Sequence, residues 1–473
     1  MSSVSSAAGP NRSVGWTFVI TSVALFMVAL DNLVVTTALP VIRAELDASL
    51  SELEWIVNAY TLTFAVLLLT GAALGDRFGR RRMFVLGLVI FTAGSAWAAM
   101  AGTTEALIIA RALQGVGGAI VTPLTLTILS AAVPPERRAL ALGAWGGIGG
   151  LAVAIGPLVG GAIAEGLSWQ WIFWVNVPIG IVATIAAFRY LRETRGPAGS
   201  LDLVGLALAS VGLLGIVWGV IHGNERGWSD ATVLGSIGVG AVLMVAFLWW
   251  ETRTKSPMLP LNFFRDRTFA VANGASFLMF FGVFGAVFLL AQFFQLVQGY
   301  GPLDAGLRTL AWTGMPAIVA PIAGLLAGRI GGRPLLAAGL ALMAIGLGWF
   351  AAVATETVAY STLVPGFVLA GIGMGLFFAP VAAVVLSSVK PQDEGKASGA
   401  TNAIRELGGV FGVAILAAVF AGNGSYASPS AYMDGLIPAV WVATVIVGLA
   451  SVLTLALPRR QTGAPVGRVI AAH

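Results

Sequence analysis

The chain has 473 residues, of which 58% are hydrophobic and only 10% charged, with a mean hydropathy of +0.91. Soluble domains carry about 25% charged residues, so a soluble globular protein is excluded and a polytopic membrane protein is predicted. There is no cysteine, the only histidines are His222 and His473, and the net charge of +5 is spread over many loops; disulfide and thiolate chemistry, a histidine metal cluster and a nucleic-acid surface are not expected.

The chain starts with a short polar stretch, MSSVSSAAGPNRSVG. The apolar run after it is longer than the 7–15 residues of a signal peptide, so it is expected to stay in the mature protein. About 20 apolar residues suffice to cross a bilayer as one helix. Fourteen such runs lie near 16–38, 53–73, 83–101, 104–126, 139–164, 170–190, 201–221, 231–250, 269–297, 305–327, 335–354, 358–388, 397–421 and 435–457. An even number puts both termini on one side. Lysine and arginine favour cytoplasmic loops. With a cytoplasmic N-terminus, only Arg43, Arg226 and Arg308 fall outside, Arg111 and Arg405 lie within spans, and every other Lys or Arg is cytoplasmic. The predicted location is the cytoplasmic (inner) membrane. Glu45, Asp47, Glu52 and Glu54 are expected in the solvated first outer loop.

Two stretches recur. The loop after span 2 reads GDRFGRRR (75–82) and the loop after span 10 reads GRIGGRP (328–334). Span 4 carries GVGGAIVTP (115–123) and span 12 carries GIGMGLFFAP (371–380). Spans 1–6 therefore correspond to spans 9–14, with spans 7 and 8 inserted. Parallel six-span repeats, with cargo bound near the midplane between them, are a known transporter plan. The predicted organisation is a tail over 1–15, a six-helix bundle over 16–190, an inserted hairpin over 201–250, a second bundle over 269–457 and a tail over 458–473. The copies have diverged: Gly328 stands where Asp76 stands in the first.

Asp31 sits inside the first apolar run. A carboxylate at mid-span costs roughly 2.5–3.5 kcal/mol on insertion scales, so it marks a functional site by default. Asp31 and Arg111 each lie about seven residues from the outer end of their spans, roughly 10–11 Å deep at about 1.5 Å per residue. They share a depth and can pair, either as a proton switch or as a fixed tie between spans 1 and 4. Glu406 in span 13 is a candidate second proton or cation site, and Arg405 beside it either neutralises it or lines the path. Pro157 predicts a kink, because proline removes a backbone donor; with it, Gly156, Gly160 and Gly161 allow a close helix crossing. On the turn after span 2, Asp76 can meet the positive N-terminal end of a helix in the other half, with Arg77 or Arg80 holding it across Gly79. That constellation suits conformational control, as a latch made with the cytoplasmic side closed and broken when it opens. A path for lipophilic cations needs aromatic walls and a few polar groups. Phe281, Phe284, Gln292 and Gln295 in span 9, Asn58 and Tyr60 in span 2 and Asn32 in span 1 are the candidates, although phenylalanines also serve as lipid-facing bulk.

Taken together these segments resemble the fourteen-span drug:proton antiporters of the major facilitator superfamily, nearly end to end. LDNLVVTTALP (30–40) is similar to the family's first-span motif with its acid, GDRFGRRR to the loop 2–3 signature, and RALQGVGGA (111–119) to the fourth-span motif with its buried arginine. AIGPLVGG (154–161) resembles the fifth-span motif associated with exporters, and SWQWIFWVNVPIG (168–180) fits the fourteen-span branch. One departure is Ala72, where the loop signature usually has glycine; it bears on helix packing near the loop. The resemblance implies an all-α major facilitator fold of two six-helix bundles plus a peripheral two-helix hairpin, with span 5 sealing the halves. It implies a secondary exporter of lipophilic, cationic or amphipathic small molecules, driven by inward proton flow, without enzymatic activity or cofactor, and monomeric among membrane lipids. An exporter of an endogenous metabolite or lipid and a proton-coupled nutrient importer are the alternatives.

Overall fold

The computed structural model describes residues 10–196, 201–390 and 393–458. Most of the two predicted tails, 1–9 and 459–473, lies outside the described residues. All regular structure among the described residues is helical. The first half comprises α1 (Pro10–Leu46), α2 (Leu50–Phe78), α3 (Arg80–Ala99), α4 (Thr104–Ala132), α5 (Pro135–Gly166) and α6 (Trp171–Tyr190). A hairpin of α7 (Leu203–Arg226) and α8 (Ala231–Glu251) follows. The second half comprises α9 (Arg267–Val297), α10 (Pro302–Ile330), α11 (Gly332–Val353), α12 (Tyr360–Ser387), α13 (Glu394–Asn423) and α14 (Pro429–Thr454). Among the described residues 13 helices are long and apolar enough to cross a membrane; α5, 32 residues long, completes the fourteen.

Polar residues set the helix ends. The Ser49 hydroxyl accepts from the Glu52 amide while Glu52 Oε2 accepts from the Ser49 amide at 2.7 Å, a capping box that starts α2. Asp202, Asp230 and Asp266 cap α7, α8 and α9 through their carboxylates, giving partners to amides that lipid cannot satisfy. At Asp230 these hydrogen bonds, the Thr232 hydroxyl first, hold the carboxyl below its usual range.

One boundary differs with consequence. The helix of α1 outlasts its apolar run and continues through Pro40 to Leu46. Asp31 therefore lies roughly 22 Å along the helix from that end, not the 10–11 Å expected from hydropathy. Arg43, Ala44 and Glu45 prolong the helix where apolarity has already stopped.

The same helix pairings recur in each half: α2 on α4, α3 on α4, α1 on α5 and α3 on α6 are matched by α10 on α12, α11 on α12, α9 on α13 and α11 on α14. Small residues allow these crossings in place of a hydrophobic driving force. Gly339 and Gly373 face each other's carbonyls between α11 and α12, and Gly117 lies on the Phe91 backbone between α3 and α4. The halves meet along α2–α13 and α5–α10. The hairpin covers the first of these seams: Leu62 and Val66 of α2, Leu213 and Val217 of α7, Phe247 of α8 and Val410 of α13 share one apolar cluster. Below, the face holding the start of α1 and the end of α14 is the termini face, and the opposite one the far face.

Candidate functional site

Between α1, α2, α3, α4 and α6 lies a closed polar cluster. Asp31 is 1% exposed and Arg111 fully buried. Arg111 Nη1 pairs with Asp31 Oδ2, and also donates to Gln114 Oε1 at 2.9 Å, while its Nε donates to the Ile56 carbonyl at 3.2 Å. The other oxygen, Asp31 Oδ1, accepts from Gln114 Nε2 at 3.1 Å and Asn176 Nδ2 at 2.7 Å. Both amides also donate to Ser95 Oγ, at 2.8 and 3.0 Å. The guanidinium stands over the Tyr60 ring at 4.3 Å, and the Tyr60 hydroxyl donates to the Val28 carbonyl at 3.1 Å. Tyr60 is thus a wall of the charged cluster, 1% exposed, and not the cargo-facing aromatic expected. Gln114 follows Arg111 by three residues, on the same helix face.

The second half holds the opposite kind of site. Arg405 Nε and Glu406 Oε2 are buried without partners, and the two side chains form no ion pair with each other. Consecutive helical residues point about 100° apart. Arg405 lies 4.5 Å from the Phe280 ring and 6.0 Å from Phe378. Phe280 in turn stacks on Phe284 at 5.7 Å and meets Phe378 edge-on at 5.8 Å. Phe378 belongs to this aromatic box although sequence alone did not single it out. The Phe281 main chain lies against Gly412 and brings α9 close to α13. Tyr60 lies within electrostatic reach of both Asp31 and Glu406. Asn32 Oδ1 and both polar atoms of Asn58 are buried without partners.

The far face is closed where the halves meet. Gly161 of α5 lies on the Pro302 backbone of α10, and Gly306 of α10 on the Pro157 carbonyl. A side chain at either glycine would collide with main chain. Gly156 and Gly160 instead pack on α1, at Leu33 and Val34. Glu165 Oε2 accepts from the Leu303 amide at 2.9 Å. The last turn of α9, Phe293–Val297, is π-helical, and from it Gln295 Nε2 donates to the Thr37 carbonyl at 2.8 Å. Gln292 accepts from the Tyr426 hydroxyl at 2.6 Å, and Arg43 stacks on the Tyr426 ring at 4.0 Å. Burial pushes the Tyr426 hydroxyl well above its ordinary pKa, against the pull of Arg43, so it remains a neutral donor. The two glutamines thus hold the closure and stand apart from the aromatic box.

The loop between α2 and α3 makes its contacts locally in this state. Asp76 Oδ1 accepts from Arg80 Nε and Nη2 at 2.8 Å, and its backbone carbonyl accepts from the Gly196 amide at 3.2 Å. These partners lie in its own half or just after it, and not at a helix end of the other half. Arg77 is exposed beside Phe78 and does not hold Asp76. Gly79 adopts φ 110°, open to glycine, and packs against Glu193, which caps the Arg81 and Arg82 amides at 3.0 and 3.2 Å.

A further correction concerns Glu54. It was expected in solvent with Glu45, Asp47 and Glu52, but is only 2% exposed, with Oε2 unpartnered. Its spacing to Asn58 and Thr61 is the signal that could have revealed it, since i, i+4 and i+7 share a helix face.

The comparisons with known proteins agree with this architecture. The sequence profile of the family described as Major Facilitator Superfamily matches residues 21–311 and again 272–469. The multidrug resistance protein Stp of Mycobacterium tuberculosis is 35% identical over 87% of this chain and 76% of its own length. The cephamycin export protein CmcT of Amycolatopsis lactamdurans is 37% identical over 95% of this chain and 93% of its own. The tetracenomycin C resistance and export protein of Streptomyces glaucescens is 32% identical over 90% and 79%. Among solved structures, a D-xylose-proton symporter superposes with a TM-score of 0.67 at 14% identity, covering 95% of this chain and 99% of that one.

Proposed function

The chain belongs to the major facilitator superfamily, and on that premise we propose that it exports lipophilic, cationic or amphipathic small molecules in exchange for protons. In this reading it lies in the cytoplasmic membrane with the termini face inside, as the placement of lysine and arginine favours. The far face then opens outward. Protons enter from that side, and one charge crossing 100 mV releases about 2.3 kcal/mol.

The observation that carries the reading is the buried Asp31–Arg111 ion pair in one half and the open-valence Arg405–Glu406 neighbours in the other. A carboxylate held by a cation and two amides is stable only in that arrangement. A helix movement that draws Arg111 away strands a charge in a dry site, and taking up a proton relieves it. The C-half box offers what an amphipathic cargo needs: aromatic faces, a cation and an acid without obligatory partners. Asp76, Arg80 and Gly79 at the termini face, and Gly156, Pro157, Gly160 and Gly161 at the far face, control which side is open.

Reconstitution in proteoliposomes with a panel of dyes and antibiotics tests the proposal. Accumulation that requires an imposed proton gradient supports it, and gradient-independent movement or none overturns it. A second reading, export of a compound made by the host cell itself, is favoured by relatives named for cephamycin and tetracenomycin C export. It differs only in cargo and is separated by the same panel.

A further inference from the structure

α2 presents different chemistry on different faces at one level of the membrane. Ile56 and Tyr60 face the Arg111 cluster, and Leu62 and Val66 face the hairpin and α13. Between these faces Glu54, Asn58 and Thr61 line up at i, i+4 and i+7. All three are buried, at 2%, 0% and 1% exposure. Thr61 satisfies itself on the Val57 carbonyl at 3.1 Å. Glu54 and Asn58 do not: Glu54 Oε2 and both Asn58 side-chain atoms have no partner. No ion pair reaches Glu54 among the described residues. Arg43 is stacked on Tyr426 instead, and the charged or titratable groups within electrostatic reach are Glu225 of α7 and Tyr426.

A nine-tenths buried carboxylate with an open oxygen, one turn from an amide with two open valences, is an acceptor-rich site that lacks its donor. The site also has a place on the path. Arg111 binds the Ile56 carbonyl, so Asn58 is level with the charged pair, and Glu54 is one turn closer to the far-face closure built on Tyr426 and Gln292. We propose that Glu54 and Asn58 form a second cargo subsite, which takes an organic ammonium or other cationic N–H donor after it leaves the aromatic box and before the far face opens. The proposal rests on the export reading and adds to it a residue that selects for cationic cargo.

The test is transport by the full chain in proteoliposomes of two probes, the cation ethidium and the neutral dye Nile red. The readout is the ratio of their KM values. In Glu54→Gln, which keeps size and hydrogen-bonding capacity but loses the charge, the cation-to-neutral ratio should rise about tenfold, the usual reach of a charged hydrogen bond. Asn58→Ala should raise it less. Should Glu54→Gln not fold, Glu54→Asp gives the same test, with an intermediate rise. An unchanged ratio overturns the subsite, including the case in which both probes shift alike with pH, which would make Glu54 a proton site. Wild-type transport of Nile red alone also overturns it. Failure of the wild type to move either probe instead removes the export reading beneath it.

Discussion

The two halves share helix pairings, but the Asp31–Arg111 pair of the first and the Arg405–Glu406 neighbours of the second satisfy their charges to different degrees. In the first half every oxygen of Asp31 is engaged, and Arg111 is shared among an acid, an amide, a carbonyl and a ring. In the second, Arg405 Nε and Glu406 Oε2 are buried without partners, and the Arg405 guanidinium lies against Phe280. Arg111 keeps one open nitrogen, Nη2, but its ion pair to Asp31 is made, and a made network resists change until something competes for it, whereas an unmade one invites a ligand. One fold duplicated can therefore hold two different charge arrangements, an ion pair tied into amides in the first half and an acid and a base without an ion pair in the second.

The sharpest way to break this contrast is Asp31→Asn. It should abolish gradient-driven efflux while leaving the chain inserted; dye export undiminished across a pH gradient would remove the proton role. Arg111→Ala should destabilise the protein by about 3–5 kcal/mol, since it strands a buried charge. Glu406→Gln, which removes a neighbour of Arg405 but breaks no ion pair, should cost less, about 1–2 kcal/mol. Thermal unfolding in detergent measures both, and equal losses would erase the distinction between the halves.

Next in size is the far-face closure. Gly161→Leu drives a side chain into the Pro302 backbone and should hold that face ajar. The chain has no cysteine, so a Thr37→Cys reporter is unambiguous: labelling from outside should quicken about tenfold or more, since blocking one crossing by more than about 1.4 kcal/mol shifts the equilibrium that far. Unaltered labelling would mean the seam does not close there. Arg405→Ala should raise the KM of an amphipathic dye about tenfold through the lost cation–π and charge contacts, with turnover less affected. A fall in turnover at constant KM would move Arg405 out of the cargo site. The smallest effect belongs to Asp76→Asn, which loses a partly buried i, i+4 pair worth about 0.5–1 kcal/mol in stability. Turnover should slow a few-fold with cargo affinity intact, and weakened binding would contradict a gating role.

The membrane plan was legible because lipid admits so few solutions: a run of apolar residues must become a helix, and fourteen did. Helix ends were less so. Apolarity reports contact with lipid, and α1 continues beyond it to Leu46. Pairing of Asp31 with Arg111 could be anticipated from the cost of leaving either alone, but Asn176 and Ser95 carried no sequence signal, because they reach Asp31 from α6 and α3 only through tertiary packing. Gln114 could have been found, three residues from Arg111. Glu54 was masked by its acidic neighbours, although its spacing to Asn58 was in plain view. Asp76 was legible only in part: Arg80 was named as its holder and bonds it, but a charge on a turn also meets whatever packs there, here the segment after α6.

The far-face seam is written largely in main chain. Gln295 donates to the carbonyl of Thr37, Gly161 rests on the Pro302 backbone, and Gly306 on the Pro157 carbonyl. A backbone oxygen is supplied by any residue, so substitution at position 37 leaves that acceptor in place. Such a seam tolerates sequence drift around it. The side chains that meet cargo are then free to diversify, and new specificities can arise without rebuilding the gate.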